Sequence, residues 1–337
     1  MQRMSMSDDS TAKLLILSYH SWDIAPETLI GDIQVLREAG WRDLTLEAAH
    51  RYISGDASLS GMFFLVTSDD SSEKDGEFVS ALRQAGCPGV LFINIGNIHE
   101  ERLPFYRQLV KSQDIAVQDH GRFHRKQFIS GQVYDYADPG SYLGGLEHLN
   151  LEPGMPICIA GSEIAAPRFI PAGDALALAA ETSRSLFPGV TKEERNRFIE
   201  STLIRKGRGY RRLGRFYLRG EFELDEDYSR RVFHYLADGK KEFEERLGRS
   251  PDYHAYTWWQ GSRAADKALE KLGYKGSFSG TGHLQGQDGR MFGIPRVAVD
   301  SGTPRPLRLE NITMRPLKDI TLGSSLKKLG KAALGIR

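Results

Sequence analysis

The chain of 337 residues is poor in cysteine, in charge of one sign and in long apolar runs. Only two cysteines occur, Cys87 and Cys158, which excludes a disulfide framework or a cysteine-rich metal cluster. The formal net charge is +1, from 45 basic and 44 acidic side chains, so neither a nucleic-acid binder nor an acidic solvating tail is indicated. The longest early apolar run, residues 14–17, is far too short to span a bilayer. Ser18, Tyr19 and His20 follow it too soon for a secretory signal. No solenoid-length repeat or low-complexity tract is present either. A cytoplasmic globular protein is therefore expected, with enough length for one large α/β domain or two small ones.

What is present begins with a recurring pattern. Residues 36–40 read LREAG, 82–86 LRQAG and 269–273 LEKLG. Each closes an amphipathic stretch and precedes an apolar or alternating run. The glycine supplies the left-handed residue that ends a helix. Leu29, Ile33 and Leu36 fall on one helical face, as do Ala264, Ala265, Ala268, Leu269 and Leu272. The following runs, residues 43–46, 89–95 and 276–279, read as strands, as do 14–17 and 62–66. Helix, glycine stop and strand in repetition predict βα units around a mostly parallel sheet, with a site at the carboxyl ends of the strands.

The rhythm lapses between about 125 and 223, where glycine and proline punctuate the chain. It resumes with Val232, Leu236, Phe243 and Leu247 before Gly248. The predicted organisation is a disordered lead-in over 1–11, a discontinuous barrel over 12–124 and 224–305, an inserted subdomain over 125–223 and an extension over 306–337.

Four polar clusters follow four predicted strands: Tyr19 and His20; Asp69 and Asp70; His120 and His124; and Trp258, Trp259, Gln260 and Gly261. In a parallel sheet all four reach one rim. The H-x-x-x-H spacing of His120 and His124 would put both imidazoles on one face of a helical turn, where they can grip one metal ion. With a carboxylate from another strand they make a two-histidine, one-carboxylate set that leaves positions for water and substrate. Adjacent Asp69 and Asp70 repel each other unless a cation lies beside them. Each feature also has a plainer reading: a turn for the aspartates, packing for His20, buried core for a tryptophan.

These segments together resemble the polysaccharide deacetylases of carbohydrate esterase family four, with the NodB-homology domain. The likeness is to the circularly permuted branch. Residues 14–20 (LLILSYH) resemble its opening Tyr-His motif, 63–70 (FFLVTSDD) its T-F-D-D-G strand end, and 118–124 (QDHGRFH) its H-[ST]-x-x-H motif. Residues 87–93, 253–261 and 294–297 resemble further strands and the closing segment. The resemblance implies a distorted (β/α)7 TIM-like barrel of the α/β class. It implies a divalent ion, zinc-like, held by Asp70, His120 and His124, with Asp69 as general base and His20 as general acid. A backbone N–H after Asp70, that of Ser72, would serve the oxyanion. The implied substrate is an N-acetylated sugar or glycan, and Trp258 and Trp259 would line it.

The sequence departs from the pattern at Ser68 and Ser71, where the family has phenylalanine and glycine, and at residues 256–261, which lack its proline. The arginine that tethers the base has no clear counterpart, Arg168 being a weak candidate. Arg205, Lys206, Arg208, Arg211, Arg212, Arg215 and Arg219 form a solvated basic face or meet a carrier- or nucleotide-linked substrate. Two rival functions stay open: a catalytically silent carbohydrate-binding barrel, and an iron oxygenase built on the same triad.

Overall fold

The computed structural model describes residues 13–56, 58–137, 143–186, 217–280 and 291–303. The lead-in over 1–11, the extension over 306–337 and all of the basic cluster except Arg219 lie outside them. The chain divides into two compact units, one of residues 1–123, 238–259 and 269–337, the other of 124–237 and 260–268.

In the first unit, strands β1 (Lys13–His20) and β2 (Arg42–Asp43) flank helix α1 (Pro26–Glu38). Helix α2 (Leu46–Ile53) leads to β3 (Met62–Asp69), α3 (Asp75–Gln84), β4 (Gly89–Ile93), α4 (Leu103–Leu109) and β5 (Ile115–Asp119). All three glycine stops form as the sequence predicts. Gly40, Gly86 and Gly273 have φ of 84°, 59° and 80°. Behind each, the next residue's N–H reaches back five residues: Trp41 to Leu36, Cys87 to Leu82 and Tyr274 to Leu269. One expected strand shrinks. Residues 43–46 give only β2, because Thr45 accepts from the Ala48 N–H at 3.2 Å and starts α2 at Leu46.

The second unit contains an antiparallel pair, β6 (Lys126–Tyr136) and β7 (Pro156–Ser162). A smaller pair, β8 (Phe169–Pro171) and β9 (Gly220–Phe222), and helix α5 (Gly173–Leu186) complete it. Phe128, Val133, Ile157, Cys158, Phe169 and Ala179 are buried in its core.

The 23-residue helix α6 (Asp225–Leu247) belongs partly to each unit, as does α7 (Arg263–Lys271). The remaining strands, β10 (Tyr253–Ala255), β11 (Gly276–Ser279), β12 (Ile294–Pro295) and β13 (Val297–Ala298), return to the first unit. Its sheet is parallel throughout, in the order β12-β11-β10-β5-β4-β3-β1-β13. The two edge strands are consecutive in the chain, separated only by Arg296, so one extended segment switches partner from β11 to β1 and nearly closes a barrel. Period-two alternation sorts the strands onto two cores. Leu15, Leu17, Phe64, Val66 and Leu91 pack under α1 and α3, while Leu14, Ile16, Phe63, Leu65, Val90 and Phe92 share the other core with Phe278 and Ile294.

Candidate metal centre at the barrel rim

Parallel registry brings the first two clusters together, since His20 and Asp69 are partners at the ends of β1 and β3. After Asp69 the chain turns sharply. Asp70 and Ser71 take the left-handed conformation, with φ of 77° and 50°. Each such non-glycine residue costs about 1–2 kcal/mol, so the turn must be held by its surroundings. One restraint is the Asn94 N–H, which donates to Ser71 Oγ at 2.8 Å. The Ser71 side chain thus gains a bond that a glycine could not make.

His120 follows β5 and is fully buried. Its Nδ1 lies 2.8 Å from the Ala255 carbonyl, which can only accept, so Nδ1 donates there and Nε2 is the nitrogen turned toward the carboxylates. That Nε2 is 3.2 Å from Asp70 Oδ1 and 4.0 Å from Asp69 Oδ2. The expected helical turn between the histidines is absent. Gly121, with φ of 81°, carries the chain into a loop that leads to His124. The ligand atoms of Asp70, His120 and His124 nevertheless lie within 4.8 Å of one another. The donor set suits a divalent ion: one carboxylate and two imidazoles, at least one with its outer nitrogen anchored. Electrostatics agree. Burial alone would depress the His120 pKa, but the carboxylates of Asp69 and Asp70 outweigh it and hold it above the usual imidazole range. The pocket favours positive charge.

Asp69 is also buried, which by itself raises a carboxyl pKa; Arg296, aided by His120, outweighs this and holds it below the usual carboxylate range. Arg296 has 0% exposure and meets both Asp69 oxygens at 2.7 Å. It also donates to Thr67 Oγ1 at 3.2 Å and stacks over Phe92 and Trp259. The tether of Asp69 is therefore Arg296 and not Arg168, which is exposed in the second unit with its backbone N–H on Glu223. The signal for Arg296 was its place in IPRV, between two short apolar runs at the barrel's closure. His20 Nε2 lies 3.7 Å from Asp70 Oδ2. Trp258 and Trp259 are half-buried, both with positive φ (56° and 62°). Trp22, which lies in none of the four polar clusters, is 53% exposed, its ring 5.4 Å from that of His20.

The nearly closed parallel barrel is similar in fold to solved deacetylase structures. Among solved structures, IcaB from Ammonifex degensii is similar at 16% identity over 86% of this chain and 93% of that one, with a TM-score of 0.52. A de-N-acetylase from Aggregatibacter actinomycetemcomitans is similar at 13% identity over 89% and 100%, with a TM-score of 0.55. The BpsB deacetylase domain from Bordetella bronchiseptica shows 13% over 86% and 96%, also at 0.55. No protein-family model and no curated protein matches the chain, so the likeness is one of fold. No helix among the described residues is long and apolar enough to cross a membrane.

Proposed function

We propose that the protein is a metal-dependent hydrolase that removes acetyl groups from an N-acetylated saccharide. The observation that carries this reading is the meeting of Asp70, His120 and His124 within 4.8 Å, beside an aspartate locked by a buried arginine. The neighbours in fold, named for deacetylation, support it. The sequence resemblance to the permuted branch, with His20 ahead of the aspartates, belongs to the same reading.

A divalent ion, most simply zinc, held by Asp70, His120 and His124 would polarise the acetamide carbonyl and acidify water. Asp69, kept ionised and oriented by Arg296, accepts the proton of the attacking water. The Ser72 N–H donates to the carbonyl oxygen as it gains charge. His20 delivers a proton to the leaving nitrogen, and acetate and a free amine depart. Trp22 joins Trp258 and Trp259 as aromatic surface on which a pyranose ring stacks. A carrier- or nucleotide-linked substrate belongs to the same reading, on the strength of the basic residues over 205–219, and a cytoplasmic location would fit it.

Acetate release from a panel of N-acetylated saccharides and sugar nucleotides, with and without chelator, tests the reading. Chelator-sensitive release is expected. Release untouched by exhaustive chelation contradicts the metal mechanism, and saccharide binding without release, unchanged in Asp69→Asn, would favour the silent barrel. Oxygen uptake after anaerobic iron loading would instead favour the oxygenase.

A further inference from the structure

Beneath the left-handed turn lies a second polar cluster to which the reaction above assigns no role. Arg102 ends a short 3-10 turn (Glu100–Arg102) just before α4. Its guanidinium donates to two successive carbonyls, that of Ser71 at 3.2 Å and that of Ser72. The guanidinium is itself gripped from behind. It donates to Tyr106 Oη at 2.7 Å, and Tyr106 donates to Asp75 Oδ2 at 2.6 Å, 3.6 Å from Arg102. The other Asp75 oxygen accepts from Ser21 Oγ at 2.5 Å. Ser21, next to His20 in the chain, lies 2.7 Å from Ser72 Oγ and donates its N–H to Ser68 Oγ at 3.1 Å. One network thus joins the residues flanking His20, Asp69 and Asp70.

We propose that Arg102, held by Tyr106 and Asp75, is a positioning residue that sets the Asp70–Ser72 turn for metal binding and primes the Ser72 N–H, resting on the roles given to Asp70 and Ser72 above. Two physical consequences follow from where its donors go. First, a cation on the Ser71 and Ser72 carbonyls offsets the unfavourable left-handed backbone and keeps Asp70 aimed at His120. Second, the Ser71 carbonyl and the Ser72 N–H belong to one planar peptide. A charged donor on that carbonyl polarises the peptide, so the N–H becomes a stronger donor to a developing oxyanion, already oriented before substrate arrives. Arg102 divides its donors between the Tyr106 hydroxyl, which in turn bonds Asp75, and the backbone of the site.

The test uses the full-length protein with cobalt(II) as the probe metal, whose visible absorption reports the ligand set. Arg102→Gln, Tyr106→Phe and the double variant Arg102→Gln/Ser71→Gly are compared with the parent. Arg102→Gln should weaken cobalt binding about tenfold by chelator competition and lower kcat for acetate release by roughly a hundredfold, with little change in KM. Tyr106→Phe, which keeps the ring in its place, should show smaller losses of the same kind. Ser71→Gly should recover part of the cobalt affinity in the Arg102→Gln background, because glycine takes the left-handed conformation without strain. The proposal is overturned if folded Arg102→Gln and Tyr106→Phe bind cobalt like the parent, or if Ser71→Gly recovers nothing. Should Arg102→Gln not fold, Tyr106→Phe decides alone. Failure of the parent to release acetate would sink the deacetylase reading, while the cobalt affinities would still judge Arg102.

Discussion

The two ends of the barrel are both rich in charge, yet they are built on opposite terms. At the amino-terminal end a cleft of about 710 Å³ is lined by Glu47, His50, Arg51, Arg249, Asp252 and Lys275. Its charges pair loosely at the surface, Lys275 with Asp252 at 3.1 Å and Arg249 with Asp252 at 3.9 Å. Its histidine, His50, is pushed below the usual imidazole range by burial and then by Lys275. At the carboxyl end, Asp69, Arg296 and His120 are buried with defined partners, and His120 is shifted the other way. The volume of the amino-terminal cleft does not by itself equip it for chemistry. Side chains drawn from several strand ends and held by inner partners mark a site better than volume does.

Mutations at the two ends should differ in what they cost. The largest effect is expected from the ligands: Asp70→Ala or His124→Ala should lower acetate release by about a thousandfold or more and abolish stoichiometric metal binding. Retained metal binding in both would dissolve the proposed centre. Next comes the buried pair. Arg296→Met strands the Asp69 charge and should lower unfolding free energy by roughly 3–5 kcal/mol in urea titrations. Adding Asp69→Asn should restore much of that stability without restoring activity, whereas a near-neutral single variant would show that the pair carries little. At the other end, Lys275→Ala or Arg249→Ala should change stability by less than about 1 kcal/mol and leave kcat unaltered. A large loss of kcat in either would give the amino-terminal cleft a part in the reaction.

The smallest effect concerns pH. Because the folded-state pKa of His50 lies below its unfolded value of 6.5, the unfolded chain binds the proton more readily. His50 therefore contributes stability above pH 6.5 that is lost as pH falls toward its folded value. His50→Gln should flatten that part of a stability–pH profile. An unchanged profile would mean that the imidazole is solvated in the folded state.

Much of this was legible in the chain. Period-two and period-3.6 patterns, and glycines that close helices, are local signals, so β1, β3, β4, β11 and the stops at Gly40, Gly86 and Gly273 could be read directly. Parallel strands then require their following residues to share a rim, which brought His20, Asp69, Asp70 and His120 to one place on paper. Other features depended on contacts between distant residues. Arg296 meets Asp69 only because the last strand segment changes partners around it. Ser71 sits in a left-handed turn with the Asn94 N–H on its side chain and Arg102 on its carbonyl, both from distant segments. The H-x-x-x-H pair is carried by a loop, since Gly121 turns the chain where spacing alone suggested a helix. The order of residues fixes the main strands and helices and the side chains they carry to the rim. How those side chains are held depends on contacts between distant segments, because buried charge is stable only where a partner from another strand reaches it.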